Sequence, residues 1–274
     1  MEGRLFVVST PIGNMGDFSF RAVEVLRSVA LVLAEDTRHS RALLARYEID
    51  TPMASYHEHR EAAAAPGIIR RILGGEDVAL ISDAGTPLLS DPGARLVQAA
   101  IEAGVDTVPI PGASALLAAL AASGIDSERF TFYGFLARRG RERREALAEI
   151  AGLAHTAVLY EAPPRVARTL AEIVALSGES RPAVVARELT KQFEEFRRGT
   201  AGELAAYYEG SPPRGEVVIV LAAAERSSPA EDMLREEARA LRAEGRAARE
   251  IVTLLVQRHG AARNVAYRLA HEDV

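Results

Sequence analysis

The sequence has no cysteine and no tryptophan, and of its 33 Lys and Arg residues only Lys191 is a lysine. Without cysteine, disulfide frameworks, zinc–thiolate sites and thiol nucleophiles are excluded. No metal ligand set is expected, and the absence fits a cytoplasmic protein. Aromatic residues make up 5% of the chain, too few for a stacking platform on single-stranded nucleic acid to be the main device. An excess of positive charge is missing too. The formal net charge of −5 excludes a globally basic nucleic-acid coat but leaves room for a local basic patch. The opening MEGRLFVVST lacks an apolar run followed by a small-residue cleavage site, so no secretory leader is expected. The uncharged stretch from Thr107 to Ile125 approaches membrane-span length but is interrupted by Pro109, Pro111 and Gly112. It reads as a buried strand, a turn and a helix, and the protein is expected to be soluble with no membrane partner. So strong a bias toward arginine keeps one lysine either by chance or where a compact, titratable ammonium is needed.

The chain's 274 residues, 48% of them hydrophobic and 26% charged, suit two globular domains and a small appendage. Short apolar runs alternate with amphipathic segments, the pattern of α/β layers with largely parallel strands. Strands are predicted at Arg4–Ser9, Ala30–Ala34, Asp77–Ser82, Asp106–Ile110, Arg129–Phe135, Thr156–Glu161, Ala183–Leu189 and Glu216–Leu221. Helices are predicted between them at Ser19–Ser28, Arg38–Tyr47, Ala62–Gly74, Pro92–Ala103, Ser114–Ala122, Arg141–Leu153, Pro164–Ser177 and Gly202–Glu209. Asp91-Pro92 reads as a carboxylate N-cap followed by proline at the first helical position. A boundary near Ser123–Asp126 divides the chain into domains 1–123 and 124–224. The tail, 225–274, is Arg/Glu/Ala-rich and strandless. Its end reads as helix, turn at Gly260 and helix, either a helix-turn-helix with Arg263, Asn264 and Arg268 on its second helix or a plain helical hairpin.

In open α/β sheets, ligands bind beyond the carboxyl ends of strands. Four strings fall there: STPIGN (Ser9 to Asn14), AEDTR (Ala34 to Arg38), SDAGTPLLSDPG (Ser82 to Gly93) and PIPGASAL (Pro109 to Leu116). None is the dinucleotide fingerprint or a Walker loop. Gly, Pro, Ser and Thr bring backbone close to a ligand, and the acids Asp36 and Asp83 suit hydroxyls, an amine or a cation better than phosphate. The alternative is four tight turns with no ligand. Further on, YEAPPR (Tyr160 to Arg165) and ARELTKQFEE (Ala186 to Glu195) also follow strands. FLARRGRERRE (Phe135 to Glu145) concentrates Arg138, Arg139, Arg141, Arg143 and Arg144. That segment reads either as a polyanion contact or as a solvated helix face with intrahelical ion pairs.

Taken in order, STPIGN, AEDTR, SDAGTPLLSDPG, PGASAL, YEAPPR and RELTKQFEE resemble the ribosomal small-subunit methyltransferase I family of the tetrapyrrole methylase superfamily, over roughly residues 4–221. The tail is similar to that family's small C-terminal domain. The resemblance implies two α/β domains with S-adenosylmethionine (SAM) in the cleft between them, and a homodimer. It also implies 2′-O-methylation of a cytidine in the decoding region of 16S ribosomal RNA, within the 30S subunit. Carried over residue by residue, it places Pro11, Asp83, Gly85, Thr86, Leu88, Ser114 and Ala115 around the cofactor, with Tyr160 and Ala186 closing over the adenine. The basic arginines, with Arg263 and Arg268 of the tail, would face RNA. One departure stands out: where the family often has proline and then lysine in the basic segment, this chain has Ala137 and Arg139.

Methyl transfer from a sulfonium to an oxygen is an in-line displacement, in which positioning supplies most of the catalysis. A ribose hydroxyl gains from a base or from a cation that favours the alkoxide, and Lys191, Glu188 and Asp36 are the candidates. Lys191 would act either as a deprotonated base or as a charged oxyanion stabiliser. Glu188 has the competing reading of an ion pair with Arg187 or Arg165. Rival functions are a tetrapyrrole C-methyltransferase, opposed by the polybasic arm, and a non-catalytic RNA- or DNA-binding module, opposed by the intact loops.

Overall fold

The computed structural model describes residues 3–57, 61–224 and 229–271. Residues up to 224 form one compact unit and the rest of the chain a second.

The first sheet is parallel throughout. Its strands β1 (Leu5–Val8), β2 (Leu31–Ala34), β3 (Met53–Ser55), β4 (Val78–Ile81) and β5 (Thr107–Ile110) run in the order β3-β2-β4-β1-β5. β2 (LVLA) and β4 (VALI) are buried at every position, as strands covered on both faces must be. Alternate side chains go to opposite layers. Phe6, Val8, Val32, Ala34, Ala79 and Ile81 pack under α1 (Phe20–Ser28) and α2 (Thr37–Arg46). Leu5, Leu31, Leu33, Val78 and Leu80 pack under α3 (Glu61–Leu73) and α4 (Ala94–Glu102).

The second sheet is mixed. β6 (Phe130–Phe135), β7 (Thr156–Glu161), β8 (Pro182–Arg187), β9 (Glu195–Thr200) and β10 (Val217–Leu221) take the order β6-β7-β10-β8-β9. β6 and β7 are parallel, but β10 is antiparallel to both β7 and β8, and β8 is antiparallel to β9. The expectation of largely parallel strands therefore holds for the first sheet alone. β3 and β9 are further additions to the predicted set. β3 is three residues long, and β9 (EFRRGT) is a charged edge strand, as sheet edges commonly are. α6 (Arg141–Gly152), α7 (Val166–Ser177) and α8 (Ala201–Gly210) cover one face of this sheet.

The other face takes α5 (Ala115–Ser123), whose sequence ALLAALAAS is apolar on every side. Leu116, Ala119 and Leu120 of α5 pack with Val158, Val184, Ala186, Val218 and Val220. The helix that ends the first half of the chain is thus buried against the second sheet, and the compact unit runs through the expected boundary at 123–124. One helix start also differs from expectation. α4 begins at Ala94 with Gly93 at its N-cap position. There the Gly93 N–H donates to the buried Glu61 carboxylate rather than to Asp91.

In the second unit, α9 (Pro229–Ala243), α10 (Ala248–His259) and α11 (Arg263–His271) enclose Leu234, Ala238, Leu241, Ile251, Leu255, Ala266 and Leu269. Gly260, in the left-handed conformation, closes α10. Among the described residues no helix is long and apolar enough to cross a membrane, and no cluster of metal-ligating side chains occurs.

Candidate functional site

The loops that leave β1, β4 and β5 are knitted together by hydroxyls and backbone. Thr10 and Gly85 exchange N–H···O bonds of 2.8 and 3.1 Å. Ser9 Oγ lies 3.0 Å from Thr86 Oγ1, and Thr86 Oγ1 donates to the Ala113 carbonyl at 3.2 Å. Thr10 Oγ1 donates to Ser82 O and Ser82 Oγ to Gly85 O, both at 3.2 Å. Gly85 has φ +83°, a conformation that glycine adopts without steric cost. Leu88 and Ser90 hold φ +73° and +71° without that licence, and backbone strain of this kind gathers at ligand sites.

Opposite these loops stand the ends of three strands of the second sheet. Because β10 runs antiparallel to β7, its start lies beside the end of β7, with Val217 opposite Glu161. Between the two sets of loops is a cavity of about 300 Å³, within the range of small-molecule sites. Ile12, Gly85, Thr86, Leu89, Ser114 and Ala115 line it from one side, and Phe135, Tyr160, Glu161, Glu216, Val217 and Val218 from the other.

Two groups in this wall are left without partners among the described residues. Ser114 Oγ is buried with no hydrogen bond. Asp91, also lining the cavity, has no hydrogen-bond or ion-pair partner for its carboxylate among the described residues. Burial, then repulsion from Glu35 and Asp83, pushes its pKa up to about 7. Glu35 is likewise raised, by burial and then by Asp83 and Asp36. An unmatched hydroxyl and an uncompensated carboxylate in a largely apolar cavity suit a ligand carrying donors and a positive charge.

Of the residues expected around a cofactor, Gly85, Thr86, Ser114, Ala115 and Tyr160 line this cavity. Tyr160 OH accepts the Leu116 N–H at 3.3 Å, and burial raises its pKa. The others lie outside the lining. Pro11 is buried in its loop, Leu88 precedes the lining Leu89, and Ala186 is fully enclosed under α5. The Asp83 carboxylate accepts the Asp36 N–H at 3.1 Å, tying the end of β4 to that of β2. Asp91, Phe135 and Glu216 were not foreseen as lining residues. Asp91 offered a signal in SDPG, which reads equally well as a helix cap.

The three candidate catalytic groups fall in two places. Asp36 caps α2, accepting from Arg38 N at 2.8 Å and pairing with its guanidinium. Those bonds hold it at about 2, which makes it a weak proton acceptor. Lys191 Nζ sits between Glu188 Oε1 and Glu216 Oε2, 3.1 Å from each. Burial works against its charge, but the two carboxylates outweigh burial and raise its pKa. The two carboxylates at 3.1 Å favour the ammonium form of Lys191, and with it the cationic reading over the deprotonated base. Glu188 pairs with Lys191 and accepts the Glu216 N–H at 3.1 Å. The expected partners are engaged elsewhere, Arg187 with Glu195 and Arg165 with Glu161. This knot touches the first loop, since Asn14 N–H donates to Thr190 Oγ1 at 3.0 Å and a side chain at Gly13 would collide with Lys191.

The basic segment divides in the structure. Arg138, Arg139, Arg141 and Arg144 are exposed, with Arg141 paired to Glu145 at 2.6 Å. Arg143 is 2% exposed, which corrects its placement among RNA-facing residues. Its guanidinium donates to Glu172 Oε2, to Thr169 Oγ1 at 2.8 Å and to the Ala137 carbonyl at 3.2 Å. Thr169 donates on to Glu161 Oε2 at 2.6 Å, and Arg165 bridges Glu161 Oε1 to the Leu136 carbonyl. A buried polar chain therefore connects the cavity wall at Glu161 to the start of the basic segment. In the tail, Arg263 lines a surface groove and Arg268 does not.

Comparison with known proteins adds three observations. The family model described as Tetrapyrrole (Corrin/Porphyrin) Methylases matches residues 4–205. The chain is 43% identical to the ribosomal RNA small subunit methyltransferase I of Synechocystis sp., over 98% of both chains. It is 50% identical to the protein of that name from Pseudomonas aeruginosa, over 80% of this chain and 79% of that one. Among solved structures, a uroporphyrin-III C-methyltransferase from Thermus thermophilus complexed with S-adenosyl homocysteine superposes with TM-score 0.59 at 19% identity, covering 80% and 97% of the two chains. A cobalt precorrin-4 methyltransferase superposes with TM-score 0.60 at 21% identity, covering 80% and 94%. These structural likenesses speak to fold.

Proposed function

The chain belongs to the ribosomal RNA small subunit methyltransferase I family within the tetrapyrrole methylases, and from that premise we propose that it uses SAM to methylate the 2′-hydroxyl of a cytidine in the decoding region of 16S ribosomal RNA. The cavity between the two sets of strand-end loops carries this reading, with its orphaned Ser114 hydroxyl and uncompensated Asp91. Both suit SAM, which offers polar handles and positive charge. When bound, it supplies an electrophilic methyl group on sulfonium sulfur.

The residues would divide the remaining work. Asp91 and Ser114 hold polar groups of the cofactor, and Ile12, Leu89, Tyr160 and Val218 enclose its apolar surface. The exposed arginines 138, 139, 141 and 144 follow directly on Phe135, the half-exposed aromatic in the cavity wall, and would hold RNA phosphates near its mouth. Lys191, held beside the lining Glu216, would stabilise the negative charge that grows on the ribose oxygen as its proton passes to solvent and the O–methyl bond forms. The family resemblance supports a cytoplasmic homodimer acting on the assembled 30S particle.

The test is transfer of tritiated methyl from SAM to 30S subunits lacking the modification, followed by nuclease mapping. Label in 2′-O-methylcytidine is the expected result. Label on a base, or none despite SAM binding, would sink the 2′-O reading.

A further inference from the structure

From 251 to 271 the chain contains no aspartate or glutamate, although the whole sequence has 38 acidic residues. α10 and α11 carry that stretch, and between them runs a groove of about 670 Å³ lined by Arg249, Val252, Arg263, Asn264, Tyr267 and His271. Arg263, Tyr267 and His271 recur every four residues and so share one face of α11.

Several other basic side chains of this unit have partners within it. Arg258 and His259 pair with Glu237 of α9, and Arg242 donates to the Leu269 carbonyl at 2.9 Å. The guanidinium groups of Arg249 and Arg263 have no acidic partner among the described residues. Tyr267 is 61% exposed, and its ring lies against the His271 imidazole with centroids 4.2 Å apart and planes at 31°. His271 Nδ1 lies 2.8 Å from the Tyr267 carbonyl, a bond that fixes the ring pair in place.

Each element has a matching ligand chemistry. Guanidinium forks fit phosphate oxygens. An exposed ring offers a face to an unstacked base, and the Asn264 amide can both donate to and accept from a base edge. A duplex hides its base faces, so the combination favours single-stranded RNA. We propose that this groove binds single-stranded RNA, with phosphates on Arg249 and Arg263 and a base on Tyr267. It gives the enzyme a second hold on its substrate, separate from the exposed arginines after Phe135, and rests on the RNA-methyltransferase reading above.

The experiment is fluorescence anisotropy of a short labelled single-stranded RNA with the full-length protein across a salt series. Arg249→Ala/Arg263→Ala should weaken binding about tenfold near 0.1 M salt and lower the slope of log affinity against log salt by about 1.4, roughly 0.7 for each phosphate that is no longer neutralised. Tyr267→Ala should weaken binding about fivefold with the slope unchanged. Tyr267→Phe should keep wild-type affinity, which a folding defect would not. Wild-type affinity and slope in the double variant overturn the proposal, and so does equal competition by polyglutamate or by duplex RNA. Tritium transfer to 30S subunits separates this outcome from the catalytic one. If transfer fails while the variants still bind RNA more weakly, the methylation reading falls and the groove stands. If transfer succeeds while the variants bind RNA normally, the groove alone falls.

Discussion

Asp91 lines the cavity with no hydrogen-bonding or ion-pair partner among the described residues, and its pKa, raised by burial and by Glu35 and Asp83 to about 7, lies well above the ordinary carboxylate value of 3.8. The folded protein therefore holds a proton there that the unfolded chain has released. As pH rises from about 4 to about 7, this group removes stability from the cofactor-free protein; above 7 its penalty is constant. Asp91→Asn should abolish that component, leaving a flatter profile of denaturation midpoint against pH. A cationic ligand favours the ionised form, so SAM affinity should fall by up to tenfold for each pH unit below about 7, with proton release on binding. Titration calorimetry in buffers of differing ionisation enthalpy reads both effects. A pH-independent affinity with no proton release would show that Asp91 does not face the cofactor's charge.

Within elements, the same loops and helices pair a strained turn with a buried ionic network. Gly85→Ala would put a side chain at φ +83°, with its Cβ 3.2 Å from Ile12 Cγ2. The conformation alone costs about 1–2 kcal/mol, and the Thr10–Gly85 bridge would shift with it. A urea midpoint lowered to that extent, together with weaker SAM binding, is expected. Arg143→Met should cost about 3 kcal/mol, toward the lower end for a broken buried pair, because Glu172 keeps Arg168 as a partner at 2.9 Å. The variant also frees the Ala137 carbonyl, so KM for RNA should rise more than KM for SAM in steady-state assays.

Arg143 shows how far the sequence could be read. It shares a helix stripe with Leu147 and Ile150, both buried, yet among five arginines its type argued for the surface and only the spacing argued inward. The central strands were plain because runs such as VALI and VVIVL are apolar throughout. Their direction was not, since a buried strand has the same composition whichever way it runs, and β10 reverses against its neighbours. The loop strings marked the rim of the cavity. Which of their side chains face it was decided by long-range ties, such as Asp83 to the Asp36 N–H, that no local pattern encodes.

At the scale of the molecule, chain order and sheet order diverge in a way that dictates where the α/β unit becomes complete. β10 is the last strand in sequence but the central strand of its sheet, with all five residues buried between β7 and β8. The Ala222 N–H then donates to Pro182 O at 2.9 Å, and the Ala224 N–H to Leu153 O at 2.8 Å. A chain ending at Gly215 leaves Val158 and Val184 without the strand that separates them and exposes ladder groups on both sides of the gap, so it should fail to fold. A chain ending at Ala224 retains every strand and the whole cavity lining, while the core of 229–271 is assembled from its own helices. It should therefore fold cooperatively and bind SAM within about twofold of the full-length value. Its RNA affinity should be lower and its salt dependence shallower, because Arg249 and Arg263 leave with the tail. Circular dichroism melting, SAM calorimetry and RNA anisotropy on the two truncations check these outcomes. A chain ending at Ala224 that fails to melt cooperatively would make the tail part of the folding unit, and unchanged RNA binding would confine RNA recognition to the α/β unit.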